Sequence, residues 1–277
     1  YLRGSYGQGF RFPTLGERYI RTKLDAVSVL PNEQLEPEFS VNVEAGITQG
    51  FRIGGFSGYV DAVVFRQDID RYVEFTFAAW EPGTPQDPLG GLGFRSVNTG
   101  GARITGLELE VVGKGNIGAV EITALAGYTH TKPVSTTPHE VYATSLGDQP
   151  LSYSSTSCDT TDYLLKYRMR DLIRADLSGK HKRISAGVSV RYNSHIRNID
   201  KAFLDFDRLG VMRTGVNDWM RGHTTGDWIV DARIGYQLTA QLKASIIGNN
   251  LGNEVYSIRP MSIEAPRSWQ VQLTAEL

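Results

Sequence analysis

Apolar and polar residues alternate with a period of two along most of the 277-residue chain. The alternation is clearest near the C-terminus, where Trp269, Val271 and Leu273 are separated by Gln270 and Gln272. Successive side chains of a β-strand point to opposite faces of the sheet, so this pattern predicts strands with one apolar and one polar face. The sequence therefore predicts an all-β fold.

Ten such strands are predicted, and the connections between them alternate between long and short. The strands lie near residues 1–9, 38–49, 57–75, 98–112, 118–130, 170–180, 183–196, 227–238, 241–250 and 267–277. The long connections cover residues 10–37, 76–97, 131–169, 198–226 and 251–266. The register near 57–75 is ambiguous, because Val63, Val64 and Phe65 interrupt the alternation.

The unequal connections and the two unlike faces favour a membrane-spanning barrel. Outer-membrane barrels have short turns on one side and long loops on the other, with an apolar outer face and a polar interior. Each strand needs only about 9–11 residues to cross the bilayer, and the sequence has no apolar run of about 18 residues that would predict a transmembrane helix. Soluble antiparallel sheets also alternate, so a soluble sandwich or propeller is the alternative. We expect a transmembrane antiparallel β-barrel in a bacterial outer membrane.

Composition excludes several other classes of function. The formal net charge is −1, whereas a nucleic-acid-binding protein needs a basic excess. The single cysteine, Cys158, excludes a disulfide framework and a cysteine zinc site. The metalloprotease, serine-hydrolase and P-loop motifs do not occur, and the five histidines are scattered through the sequence. We therefore expect no enzyme, no resident metal and no cofactor. The chain begins without Met or a signal peptide, and is expected to be a processed product or a fragment.

Four short patterns occur in a fixed order along the predicted barrel. They are GFRFPTL at 9–15, NEQLEPE at 32–38, NTGGA at 98–102 and APRS at 265–268. In this order, these patterns resemble those of the TonB-dependent outer-membrane receptors, and the resemblance extends over the whole chain.

The resemblance implies a barrel of about twenty-two strands whose lumen is filled by an N-terminal plug domain. Residues 1–277 would form the last ten strands, and the plug and the other strands would lie outside this chain. Such receptors import scarce ligands with energy from the TonB complex. The expected ligand is a small molecule, a ferric siderophore or similar metal chelate. A glycan or peptide importer of the same family with a surface lipoprotein, or a self-contained ten-stranded channel, adhesin or protease, is the alternative.

Ligand binding is expected in the long loops, since loops on a rigid scaffold commonly carry function. Arginine can pair with carboxylates or phosphates, and tyrosine and tryptophan can stack on rings. The candidate residues are Arg11, Arg18, Arg21, Trp80, Arg95, Tyr142, Tyr153, Trp219, Arg221 and His223. The segment 153–162, rich in Ser and Thr, is expected to be mobile. Lipopolysaccharide and outer-membrane lipid are further expected partners.

Charged residues on the polar face are expected to line the lumen and contact the plug, because a buried charge needs a partner. These residues are Glu44, Glu108, Glu110, Arg174, Arg191, Asp231 and Arg233. Gly106, two residues before Glu108, has two interpretations. It could receive a plug loop, or it could adjust the shape of the strand.

Overall fold

The computed structural model describes residues 1–24, 27–210, 214–259 and 262–275. The first elements are β1 (Leu2–Arg11), α1 (Leu15–Tyr19), β2 (Thr22–Leu24), β3 (Val27–Leu30), β4 (Glu38–Ile53), β5 (Phe56–Asp70), β6 (Val73–Ala79), β7 (Leu92–Asn98), β8 (Ala102–Ile117) and β9 (Val120–Ser135). They are followed by β10 (Val141–Ser145), β11 (Gln149–Ser152), α2 (Tyr153–Thr156), β12 (Asp171–His181), β13 (Ile184–Asn193), α3 (Lys201–Leu209), α4 (Val216–Gly222), β14 (Asp227–Gln237), β15 (Leu242–Asn249) and β16 (Ser268–Ala275). In these ranges, no helix is long and apolar enough to cross a membrane.

Ten strands form one antiparallel sheet in the order β1-β4-β5-β8-β9-β12-β13-β14-β15-β16. Each of the ten predicted strands corresponds to one of them, so the all-β prediction is confirmed. Short turns at 54–55, 118–119, 182–183 and 238–241 lie at one end of the sheet, and the long connections lie at the other. We call these the short-turn end and the long-loop end.

The strand predicted near 57–75 is in fact two strands. β5 ends at Asp70, and Arg71 has a positive φ of 55°. The chain turns there and enters β6, which belongs to a separate four-stranded sheet ordered β2-β3-β7-β6. The predicted loop 76–97 is therefore largely a β-hairpin formed by β6 and β7. The turn at Arg71 could not be seen in the sequence, because the alternation of apolar and polar residues continues through it.

The register gives the ten-stranded sheet one apolar and one charged face. Ala175 of β12 lies opposite Val190 of β13, which in turn lies opposite Val230 of β14. The residues one position away, Asp176 and Ser189, are likewise paired on the other face. The predicted separation of the two faces is confirmed.

The long connections pack together into a folded layer, which we call the loop body. It comprises the described residues of 12–37, 71–101, 136–170 and 194–226. The Leu146 N–H donates to the Ala79 carbonyl at 2.7 Å, and the Cys158 N–H donates to the Ile199 carbonyl at 3.1 Å. Four long connections thus build one structure rather than separate surface loops.

The segment 153–162, expected to be mobile, is instead part of this layer. It begins with α2, whose N-cap is Ser152. Tyr153 has no exposed surface and packs in a core with Tyr72, Ala102 and Leu165. The Ser- and Thr-rich composition therefore marks a helix cap and local turns, which these side chains stabilise by hydrogen bonding.

Gly106 lies beneath an aromatic ring from the neighbouring strand. A Cβ atom at this position would lie 2.4 Å from Cζ of Phe65 and 2.7 Å from the His130 carbonyl oxygen. Phe65 is the direct partner of Gly106 in the sheet. The ring fills the space beside the glycine, which supports the strand-shape interpretation.

We expect Gly106→Ala to destabilise the protein by about 1–2 kcal/mol, because the added methyl group forces the Phe65 ring to move. Gly127→Ala is the matched control, since its nearest atom would be the Leu109 carbonyl oxygen at 3.8 Å. Denaturant unfolding of the full-length protein in detergent measures both. Equal midpoints for the two variants would contradict the packing argument.

Candidate ligand-binding site

The seven charged residues predicted to face the plug all lie on the charged face of the sheet. The register places Arg174 opposite Arg191, and Glu110 opposite Asp61. The full set is Glu44, Glu108, Glu110, Arg174, Arg191, Asp231 and Arg233. This placement agrees with a lumen position, and their contact with a plug stays a prediction.

Some of these charges are neutralised within the wall itself. Arg233 forms a bidentate pair with Asp176, with both N–O distances at 2.8 Å. Arg191 Nη2 lies 3.1 Å from Asp231 Oδ2. The first pair reaches across β13 from β14 to β12, and the second joins the neighbouring strands β13 and β14.

Of the seven predicted residues, three lack such partners. In the described part of the chain, Glu44, Glu108 and Arg174 form neither an ion pair nor a hydrogen bond. Glu110, by contrast, accepts a hydrogen bond from the Tyr59 hydroxyl at 2.7 Å. Their charges are therefore free to pair with another segment of protein.

A buried ammonium group lies at the centre of the loop body. Lys166 Nζ lies 2.8 Å from Asp200 Oδ1 and 3.8 Å from Glu74 Oε2. The side chains of Lys166, Asp200 and Glu74 are 0%, 1% and 6% exposed. The ammonium also donates to Thr156 Oγ1 at 3.3 Å and lies 5.5 Å from the Tyr153 ring centroid. Three of the long connections thus supply the three charges of one cluster.

The two carboxylates of this cluster have different surroundings. Asp200 accepts hydrogen bonds from Lys166 and from the Tyr167 hydroxyl. Glu74 Oε1 accepts the Lys166 backbone N–H at 3.3 Å, but no described group donates a hydrogen bond to Oε2. Burial raises the pKa of Glu74 to about 7, which the nearby ammonium only partly opposes. Burial also disfavours the charge on Lys166, but Asp200 and Glu74 outweigh it and raise the pKa of the lysine.

Two of the arginines predicted to bind ligand form ion pairs with nearby carboxylates. Arg11 pairs with Glu38 and also with Glu17, the latter at 3.0 Å. Arg21 Nη2 lies 2.8 Å from both oxygens of Glu81. All of these pairs are partly exposed, so a ligand would have to compete with the carboxylates.

The other two arginines of this region support the backbone. Arg18 donates to the Glu33 carbonyl, and Arg95 Nε donates to the Pro31 carbonyl at 2.9 Å. The Arg95 guanidinium also lies 5.4 Å from the Trp80 ring centroid. The Trp80 indole N–H in turn donates to a backbone carbonyl at 3.0 Å. Arg95 and Trp80 are thus already held by the protein.

The two tyrosine candidates differ in exposure, and the prediction that Tyr153 contacts ligand is wrong. Tyr153 is fully buried, and its hydroxyl donates to the Leu164 carbonyl at 2.8 Å, so it has no surface to offer a ligand. The alternation of β10 and β11 does not reveal this, because α2 turns the chain inward. Tyr142 is half-buried, with its hydroxyl 3.0 Å from Thr156 Oγ1.

The remaining candidates lie on or beside α4. The rings of Trp219 and His223 stack with a centroid separation of 3.4 Å, and His223 Nδ1 lies 3.1 Å from the Trp219 carbonyl oxygen. Both side chains line a cavity of about 400 Å³ between the 194–226 and 250–267 connections. Arg221 is exposed and is not among the residues that line this cavity.

Sequence reasoning missed two further residues of this cavity, His195 and Met220. Burial and the neighbouring Arg197 lower the pKa of His195, which favours the neutral imidazole. The sequence offers little indication of this cavity, because His195 and His223 are far apart in the chain and only the folded structure brings them close. Lys166 was also missed, because a lysine is almost never fully buried and nothing in the local sequence marks this one as an exception.

Cys158, whose role the sequence left open, packs against the second core of the loop body, formed by Ile199, Phe203 and Val216. Burial raises the pKa of its thiol to about 11, so the group stays protonated at neutral pH. The cysteine therefore acts here as a small apolar side chain.

The family model "TonB dependent receptor-like, beta-barrel" matches residues 1–251. A relative from Haemophilus influenzae, hemoglobin and hemoglobin-haptoglobin-binding protein A, is 28% identical over 118 residues, which are 42% of this chain and 11% of that protein.

Two solved structures share the fold. The Serratia marcescens hemophore receptor HasR, solved as a double mutant with its hemophore HasA and heme, has a TM-score of 0.59 at 20% identity. The siderophore receptor PirA from Pseudomonas aeruginosa has a TM-score of 0.59 at 14% identity. Each match covers 99% of this chain, which spans only 37% and 39% of these two structures. At these identities the likeness shows the fold alone. By the family match, the chain belongs to the TonB-dependent receptor-like β-barrel family.

Proposed function

We propose that this chain forms part of the wall and of the ligand-capturing surface of an outer-membrane receptor that imports a metal chelate with energy from TonB. The observation that carries the proposal is the unequal construction of the two ends of the sheet. The short-turn end has only tight turns, whereas the long-loop end carries a folded layer with its own cores. In the proposed orientation, the loop body is extracellular and the short turns are periplasmic.

The two open edges of the sheet support the proposal that the chain is part of a larger barrel. Within the described residues, β1 and β16 each pair with only one neighbour. Lipid does not tolerate an open sheet edge, since unpaired backbone groups would lie in hydrocarbon. In the proposed receptor, other strands of the same protein complete a barrel of about twenty-two strands, as the family resemblance implies. The apolar face then contacts outer-membrane lipid and lipopolysaccharide.

The charged face would enclose the plug domain, which receives the pull of TonB. Glu44, Glu108 and Arg174 are proposed as its contacts, because they have no ion-pair partner in the described part of the wall. The paired Arg191, Asp231 and Arg233 and the hydrogen-bonded Glu110 would border the same interface. Release of the plug would then leave the ion pairs within the wall intact.

The ligand class is supported by what the similar proteins are named for: a hemophore with heme, a siderophore, and hemoglobin. All three concern iron or its complexes. We assign no catalytic step to the receptor; it binds its ligand and opens a path for it.

The proposal is tested by deleting the gene in its host and supplying iron only as a ferric siderophore or only as heme. We expect loss of growth on at least one iron chelate, and the same loss when TonB is deleted instead. Growth loss confined to a polysaccharide or peptide source would indicate the other importers of the family. Uptake that persists without TonB would contradict energised transport and favour a passive channel.

A further inference from the structure

The cavity between the 194–226 and 250–267 connections has the size and lining of a small-molecule site. Its volume of about 400 Å³ falls in the range of ligand pockets, which is about 300–1,000 Å³. Its walls are mainly apolar or aromatic. The lining includes His195, Ile199, Val216, Trp219, Met220 and His223.

The charge of the lining limits which ligands fit. Among the described residues that line the cavity, Asp227 is the only one with a formal charge, and none is Lys or Arg. A chelate whose metal is surrounded by catecholate or carboxylate groups would bury anionic oxygens here without a cation. The cavity instead suits a ligand with an extended apolar face.

The imidazoles add the capacity to bind a metal. The His223 Nδ1–H donates to the Trp219 carbonyl, which leaves the lone pair on Nε2 free. An imidazole held in this way is a common ligand of iron, zinc and copper. In the described ranges, however, no group of three or more His, Cys, Asp or Glu is arranged to hold a metal ion. A bare ion would therefore lack ligands here.

These limits together point to a metal that arrives with most of its ligands. We propose that the cavity binds a planar metal complex of the porphyrin type, with His223 or His195 coordinating the metal from its open axial side. Trp219 and the aliphatic walls contact the macrocycle, while its carboxylates remain in water at the opening. This inference rests on the proposed uptake function and assigns it a ligand class and a binding site.

The test uses the full-length receptor in detergent, titrated with iron(III) protoporphyrin IX and followed by its Soret absorption. We expect His223→Gly or His195→Gly to weaken binding roughly tenfold or more and to change the Soret maximum, as loss of a metal ligand does. Free imidazole added to the responsive variant should restore the spectrum. Metal-free protoporphyrin IX should bind that variant and the unmodified receptor equally, because its apolar contacts with the cavity walls do not need the histidine.

His181→Gly is the matched control, since this histidine lies at the end of β12 beside a short turn. If neither cavity variant differs from this control in affinity or spectrum, the site assignment is wrong. Trp219→Ala gives an independent check, because it should weaken binding of both the iron-loaded and the metal-free porphyrin. No change in either would also overturn the proposal.

The inference and the proposed function can fail separately. If the receptor supports TonB-dependent growth on another iron chelate but does not bind the porphyrin, only the inference is overturned. If the porphyrin binds through the cavity but TonB has no effect on the use of any iron source, the transport proposal fails and the binding site stands.

Discussion

Replacing Lys166 by Met is expected to weaken the loop body by about 3–5 kcal/mol, the usual cost of breaking a buried ion pair by removing one partner. The substitution leaves Asp200 and Glu74 buried without their cation, at side-chain exposures of 1% and 6%. Methionine has a similar length, so the lost charge rather than a lost volume accounts for the effect. Backbone hydrogen exchange of the full-length receptor measures the free energy of opening of residues 156–166.

Lys23→Met serves as the control, because it removes an ion pair with Asp87 whose side chains are 45% and 39% exposed. Such exposed pairs contribute at most about 1 kcal/mol. A triple variant, Lys166→Met with Glu74→Gln and Asp200→Asn, removes all three charges and should recover part of the loss. Exchange in Lys166→Met that matches the control would show that the cluster does not hold the layer together.

Raising the pH from 4.5 to 7 is expected to weaken the loop body by on the order of 3 kcal/mol through Glu74 alone. The pKa of Glu74 is about 7 in the folded layer, against an ordinary value of 4.5. The folded form therefore holds a proton that the opened form releases. The contribution is fully present below pH 4.5, is lost as the pH rises towards 7, and is absent above that value.

Glu74→Gln should remove this pH dependence, since the amide cannot ionise and its oxygen can still accept the Lys166 N–H. Glu81→Gln is the matched control, because the Glu81 side chain is 42% exposed and pairs with Arg21 at the surface. The measured quantity is the difference in opening free energy between pH 5 and pH 8 for each variant. An unchanged pH dependence in Glu74→Gln would show that a group other than Glu74 takes up the proton.

The ten strands could be predicted from the sequence because their signal is local. Each strand shows its own alternation of apolar and polar residues, and in outer-membrane barrels this alternation runs along the whole strand. The turn at Arg71 was not predicted, because the alternation resumes at once in β6 and does not indicate that the chain enters a second sheet. The face of the sheet on which each charged residue lies followed from the same local periodicity.

The loop body could not be predicted because its contacts are distant in sequence. Lys166 meets Asp200 across 34 residues and Glu74 across 92. Nothing near any one of these residues indicates the other two. The same limit applies to His195 and His223, which only the folding of two connections brings to one cavity.

The origin of the buried cluster in three separate connections also has a consequence for how such a receptor could acquire a new ligand. Replacing one connection alone would leave a buried ammonium or carboxylate without its partner inside the layer. The smallest exchangeable unit is therefore the set of three, transferred together with its internal charges.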